Sequence, residues 1–158
     1  MTDFLSFRLP DHFIDDYKDK PVQWGFDIGG GNSLSELTFI AKYSRKKDDG
    51  TKERWWECCR RCIEGEYSIL KDWCKQNRTP WNEFKAQKSA QEAFSMMFDF
   101  KWTPPGRGLA NMGTEMVHRE QNNASLNNCF VGSEKFLTRN YGPTRFDEVV
   151  GQIGRAHV

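Results

Sequence analysis

The chain has 158 residues with 23 Lys+Arg against 22 Asp+Glu, so no bulk charge draws it to nucleic acid or to an anionic membrane. Aromatic side chains make up 14% of it, 6 Trp and 12 Phe among them, which argues for a packed core and against disorder. No stretch reaches the ~20 apolar residues that span a bilayer. The start, MTDFLSFRLPDHF, lacks the basic and apolar runs of a secretory signal, so the 5 cysteines are expected as reduced thiols in a cytoplasmic protein.

Pro10 to Lys20 (PDHFIDDYKDK) reads as a short helix. Pro10 stands at its start, acidic residues fill the early turns, and Lys18 and Lys20 close it, an order that suits the helix dipole. In the following PVQWGFDIGGGNS, the run Gly29-Gly30-Gly31 reads as a connector. A phosphate-binding loop would need a Lys-Ser/Thr after the glycines and a strand before them. Leu34 to Tyr43 is open between helix and strand. RKKDDGTKE is a charged turn around Asp49-Gly50, with Thr51 placed to cap the next helix.

From about Lys52 to Lys75, Trp55, Trp56, Cys59, Cys62, Ile63, Leu70, Trp73 and Cys74 recur at helical spacing and predict an amphipathic helix. A second is expected from about Trp81 to Phe100, opened by Thr79-Pro80, with Trp81, Phe84, Ala90, Phe94, Met97 and Phe98 along one side. At Trp102 the character changes. KWTPPGRGLANMGTE is too rich in Pro and Gly to continue a helix. Ala124 to Gly132 (ASLNNCFVG) suits a strand after a loop, and Pro143 to Val150 (PTRFDEVV) looks like the start of a further helix. Three stretches result: a helical region over 1–101, the beginning of a second region over 102–152, and a tail over 153–158. That tail, IGRAHV, is a one-frame translation of a widely used short-read sequencing adapter, so it is expected to be read-through without part in the fold.

Cys58, Cys59 and Cys62 form a CCxxC. A structural zinc takes four ligands, usually as two separated pairs, and no second pair completes this one. Cys59 and Cys62 fall on the apolar face, so core thiols are the better reading, and a thioredoxin-like pair lacks its preceding strand. His12, His118 and His157 are scattered and carry no assigned role. The polar run Asn122 to Asn128 leads directly into Cys129. Amides and backbone N–H groups beside one thiol suit a polyhydroxylated, phosphorylated ligand, although such a run alone is more often turn chemistry.

Several of these stretches resemble the monomeric, adenosylcobalamin-dependent ribonucleoside-triphosphate reductases, a class II ribonucleotide reductase family. They are TPPGRGL (Thr103 to Leu109), MGTE (Met112 to Glu115) and SLNNCFV (Ser125 to Val131). Upstream, PVQWGF (Pro21 to Phe26), Tyr43 to Arg45, ERWWE (Glu53 to Glu57) and IEG (Ile63 to Gly65) also resemble the family's N-terminal helical region. The resemblance implies an α/β fold: an N-terminal helical region entering the first strand of a ten-stranded α/β barrel, here truncated.

It further implies replacement of the ribose 2′-hydroxyl by hydrogen through thiyl-radical chemistry with adenosylcobalamin. By its place in SLNNC, Cys129 corresponds to the first of two reducing cysteines that end as a disulfide and are regenerated by a thioredoxin-like reductant. Ser125, Asn127 and Asn128 become candidates for contacts to the ribose or phosphates. The expected partners are a ribonucleoside triphosphate and an allosteric deoxynucleotide, acting on a monomer. The radical cysteine, the second reducing cysteine and most of the cobalamin site are expected downstream, and this piece alone is expected to be inactive. Two other readings remain open: the large subunit of an iron-dependent ribonucleoside-diphosphate reductase, and a non-catalytic helical interaction module. The second gives no reason for a Gly/Pro loop followed by SLNNC.

Overall fold

The computed structural model describes residues 4–23, 34–118, 126, 135–138 and 142–145, the last two stretches by backbone alone. The chain through Leu126 forms one unit and the chain from Asn127 a second.

The first unit is built on two long helices, called here α3 (Trp55–Gln76) and α4 (Glu83–Phe98). They run antiparallel. The Trp55 indole N–H donates to Phe98 O at 3.1 Å, the Tyr67 and Ser89 hydroxyls meet at 2.6 Å, and Lys71 reaches Glu83 at 3.0 Å. α3 begins where the Glu57 carboxylate accepts the Arg54 N–H at 2.7 Å, so Arg54, rather than the expected Thr51, is its N-cap. Thr51 is engaged elsewhere: its hydroxyl donates to Asp49 at 2.6 Å in the predicted charged turn. α4 starts at Asn82, whose side chain accepts the Lys85 N–H at 2.9 Å.

Both helices end in the same way. Thr79 N–H reaches Cys74 O at 2.9 Å and Arg78 N–H reaches Lys75 O at 3.3 Å; Lys101 and Phe100 repeat the pattern onto Met96 and Met97. These paired bonds need one residue in the left-handed region, taken here by Arg78 (φ 52°) and Phe100 (φ 54°) instead of glycine. Phe100 gains from the bend, because its ring stacks on Trp55 at 4.6 Å.

The buried faces of α3 and α4 differ in detail from the apolar pattern. Leu70, Trp73 and Phe84 are exposed, while Cys58, Gly65 and Ser68 are buried. The buried stripe runs through small and polar positions, which a count of bulky side chains undervalues. On α4, Ala90, Phe94, Met97 and Phe98 face the core as expected, joined by Ala86.

Three further elements close this core. Residues 5–9 are extended, with Leu5, Phe7 and Leu9 buried at the period of two of a strand. They lie along α3: Phe7 N–H donates to Ser68 Oγ and Leu9 N–H to Glu64 Oε1, both at 3.0 Å. α1 (Asp11–Lys18) is capped by Pro10 and sets Phe13 and Tyr17 edge-on against Phe94, at 5.5 and 4.8 Å. α2 (Leu34–Lys42) resolves the open stretch as a helix and presses Phe39 edge-on against Trp55 at 5.5 Å. The Gly/Pro stretch carries two short helices, α5 (Gly106–Asn111) and α6 (Glu115–His118), so it is less irregular than expected.

In the second unit, β1 (Lys135–Thr138) pairs antiparallel with β2 (Gly142–Arg145), with Phe136 opposite Thr144 and Leu137 opposite Pro143. The helix expected to start at Pro143 is therefore corrected to a strand over its first residues. In a two-stranded ribbon each strand is an edge, where a proline without an N–H is tolerated. The strand expected over Ala124 to Gly132 lies outside the described residues, Leu126 apart. Among the described residues no helix is long and apolar enough to cross a membrane.

Candidate functional site

The stretch from Thr103 to Thr114 is held on α3 by a dense polar latch. Its local shape follows from sequence. Pro105 caps α5, Gly108 packs where a Cβ would stand 3.0 Å from Pro104 Cβ, and Gly113 turns the chain at φ +71°. Beyond it Thr114 folds back, its hydroxyl donating to Asn111 O at 2.6 Å and its carbonyl starting α6. Gly113 lies directly against Gly65 of α3. A Cβ on Gly65 would come within 2.5 Å of Gly113 N, and one on Gly113 within 2.2 Å of Arg61 O.

Arg61 is the centre of the latch. Its Nε and Nη2 donate to the two carboxylate oxygens of Glu53 at 2.7 and 2.9 Å, a bidentate pair whose side chains are each 10% exposed. The same guanidinium donates to Met112 O at 2.5 Å and Leu109 O at 2.9 Å. Burial acts to lower the Arg61 pKa, but the hydrogen bond to Glu53 and the surrounding groups outweigh it and the net shift is upward. Arg45 adds a second strand to the latch: its N–H donates to Glu53 Oε2 at 3.0 Å and its Nη2 to Asn111 Oδ1 at 2.7 Å. Burial first, and then the like charge of Arg61, lower the Arg45 pKa.

Cys58 and Cys62 of α3 lie beneath this stretch. Cys58, Cys59 and Cys62 are buried and free, as expected of core thiols, although the apolar spacing marked only Cys59 and Cys62. The Cys58 thiol is pushed well up by a hydrogen bond shared with Cys62 and then by burial, and Cys59 by burial above all. Arg61 Nη2 reaches Cys58 Sγ at 3.4 Å, and Cys62 Sγ points to Gly108 O at 3.8 Å. Neutral thiols in such places pack as small apolar groups and are poor nucleophiles.

Two clefts border the latch. One, of about 690 Å³, runs past Arg8, Asp11, Trp56, Arg60 and Glu64. Its charges are already matched: Arg60 bonds both Glu64 and Asp11 at 2.8 Å, and Arg8 bonds Glu64 at 2.8 Å. The other, of about 620 Å³, is mostly apolar and lies between α2 and α5, lined by Leu34, Phe39, Tyr43, Trp55, Phe100 and Leu109.

The four residues expected to carry chemistry, Ser125, Asn127, Asn128 and Cys129, lie outside the described residues. What the structure does bring together are most of the other stretches of the resemblance, PVQWGF lying partly outside the described residues. Tyr43 to Arg45, Glu53 in ERWWE, Gly65 in IEG, TPPGRGL and MGTE are scattered over the sequence and meet at the latch. The sequence alone assigns these motifs no roles. Arg61 lies in none of them and gave no signal, because two of its partners are main-chain carbonyls supplied only by the fold.

The family described as the ribonucleotide reductase alpha domain matches residues 9–114, and the chain belongs to that family. Among similar proteins, a probable adenosylcobalamin-dependent ribonucleoside-triphosphate reductase of Dictyostelium discoideum is 37% identical over 135 residues, 85% of this chain and 17% of the relative. The adenosylcobalamin-dependent ribonucleoside-triphosphate reductase of Euglena gracilis is 30% identical, covering 89% of this chain and 19% of the relative. A crystal structure of a B12-dependent (class II) ribonucleotide reductase superposes with a TM-score of 0.60 at 29% identity, over 82% of this chain and 17% of that one. The chain thus spans less than a fifth of the length of these relatives.

Proposed function

We propose that this chain is part of an adenosylcobalamin-dependent ribonucleoside-triphosphate reductase, in which its helices lead into the first strand of a ten-stranded α/β barrel. The observation that carries the reading is the convergence of the family-like motifs on one latch, in a fold matched by a class II enzyme. The relatives named above are all of the cobalamin type, which favours it over the iron-dependent diphosphate reductase. The enzyme would act as a cytoplasmic monomer with an allosteric deoxynucleotide.

In this reading Cys129 is the first of two reducing thiols. Together they give two electrons and two protons. The ribose 2′-hydroxyl departs as water, hydrogen takes its place, and the sulfurs close a disulfide. A thioredoxin-like dithiol then reopens that disulfide by exchange. Ser125, Asn127 and Asn128, which flank Cys129, would hold the ribose or phosphates. Adenosylcobalamin supplies the radical that starts the reaction. Neither described cleft fits it, since one is lined by internally paired charges and the other offers about 620 Å³, too little for a corrin with its nucleotide appendages. Its site belongs to other residues of the enzyme.

The test is Cys129→Ser in the full-length enzyme. Multiple-turnover reduction with thioredoxin should be lost while cobalt–carbon cleavage persists, because the radical-bearing cysteine is a different residue. Normal turnover by the variant would remove Cys129 from the reducing pair. The source reading frame should also continue into a long stretch with an Asn-x-Cys-x-Glu motif; an early stop codon would sink the reading.

A further inference from the structure

We infer that the outer face of α2 and the cleft between α2 and α5 form a seat for an apolar segment of the same polypeptide, drawn from the part of the enzyme that lies beyond this chain. The inference rests on the proposed function, in which the chain is one piece of a much longer reductase.

α2 is apolar on two faces. Phe39 is buried against Trp55, whereas Leu34, Leu37 and Ala41, spaced three and four residues apart, share another side of the helix and are exposed. Leu34 is 80% exposed and Leu37 56%. Within Leu34–Lys42 only Glu36 and Lys42 carry charge, and Glu36 is buried. A helix at the surface of a finished protein turns charged and polar groups outward, while one that is apolar all round lies inside.

The cleft continues this face. Leu34 borders it, and Phe39, Tyr43, Trp55, Phe100 and Leu109 line it. Thr38 also lines it, but its hydroxyl already donates to Leu34 O at 2.7 Å. The walls are fixed by contacts of their own: Phe100 is stacked on Trp55 at 4.6 Å, and the Leu109 carbonyl is held by Arg61 at 2.9 Å. Walls set beforehand remove the entropic cost of ordering them on association. With so little free polar chemistry to orient a hydrophilic ligand, the cleft suits apolar side chains presented by a protein segment.

The lengths of the relatives say which segment. This chain spans 17% of the Dictyostelium protein, 19% of the Euglena protein and 17% of the solved class II enzyme. In an enzyme of that size most of the polypeptide is still to be packed, and an apolar band is the surface that gains most by being covered.

The experiment uses the full-length enzyme. In Leu37→Cys, alkylation of the new thiol by a maleimide is followed by mass spectrometry in the native enzyme and in urea. Labelling should be at least about a hundredfold slower in the native enzyme, as for a site reached only by local opening. Native labelling within about tenfold of the unfolded rate would overturn the inference. If Leu37→Cys does not assemble, Ala41→Cys, a smaller change on the same face, is read in the same way. An aliphatic diazirine residue carried at Leu37 then identifies the occupant. Irradiation should give a product of single-chain mass, joined to a peptide from beyond this chain. A product of two chains would make the face a contact between copies, and a cross-link confined to residues 1–158, or reaction with water alone, would leave the seat without its occupant; each outcome rejects the inference. An active reductase in which Leu37 is open keeps the proposed function and loses only the seat. A source reading frame that stops early removes both.

Discussion

His118, at the end of α6, shows how a single side chain couples the helical unit to pH. Its ring lies 5.7 Å from that of Phe4, and its Nε2 is buried without a hydrogen-bond partner. Burial pushes its pKa below the ordinary 6.5, with Asp72 opposing. As pH falls, the unfolded chain therefore takes up the proton first. The stability present above 6.5 is lost progressively as pH drops from 6.5 toward the lower folded value. His118→Gln should flatten this loss, read as urea midpoints measured on both sides of that pH. An unchanged slope would remove His118 as its source. The same scale explains why Arg61 escaped sequence reading. An Arg-Arg pair between Cys59 and Cys62 looks like a solvated break in an apolar stripe, and only the folded chain shows the carboxylate and carbonyls that close around Arg61.

The helix ends decide more at the scale of elements than the helix middles do. Arg78 occupies a left-handed cap position at φ 52° and is exposed, so it bears a backbone cost without a packing return. Arg78→Gly should raise stability by about 1 kcal/mol, measurable as a higher thermal midpoint. No gain, or a loss, would mean that its side chain contributes something the geometry does not reveal. Phe100 has the same backbone conformation but should not respond in this way, because Gly would forfeit the stack on Trp55. α3 and α4 were legible in the sequence to within about three residues, since Trp55, Cys59, Cys62, Phe94 and Met97 carry a true helical period. The extended residues 5–9 were not legible as a strand-like element: the partners of their N–H groups are Ser68 and Glu64, side chains far along the chain. PTRFDEVV misled for a related reason. Its proline and acidic residues resemble a helix start, whereas the pairing of Leu137 with Pro143 depends on another segment.

For the whole molecule the question is which apolar surface belongs to the core and which does not. Trp55 is 1% exposed and Trp73 53%, although both fit the same helical period. Trp73→Lys should therefore leave the unfolding free energy within about 0.5 kcal/mol. It should also lower the binding of a hydrophobic dye to the chain. A large loss of stability would show that Trp73 is packed in solution. The candidate site was legible in part: TPPGRGL, MGTE and ERWWE marked the segments that form the latch, but no spacing rule foretold that they meet on one arginine.

At the heart of that meeting, Gly65 and Gly113 touch through main chain alone. The separation of helix and turn is there a gauge length, set by the radii of backbone atoms and indifferent to rotamers. Neighbouring side chains can be exchanged and repacked around it. The two glycines themselves cannot compensate for each other, since a methyl added to one finds nothing on the other to trim. Substitution at either site is therefore closed to stepwise repair.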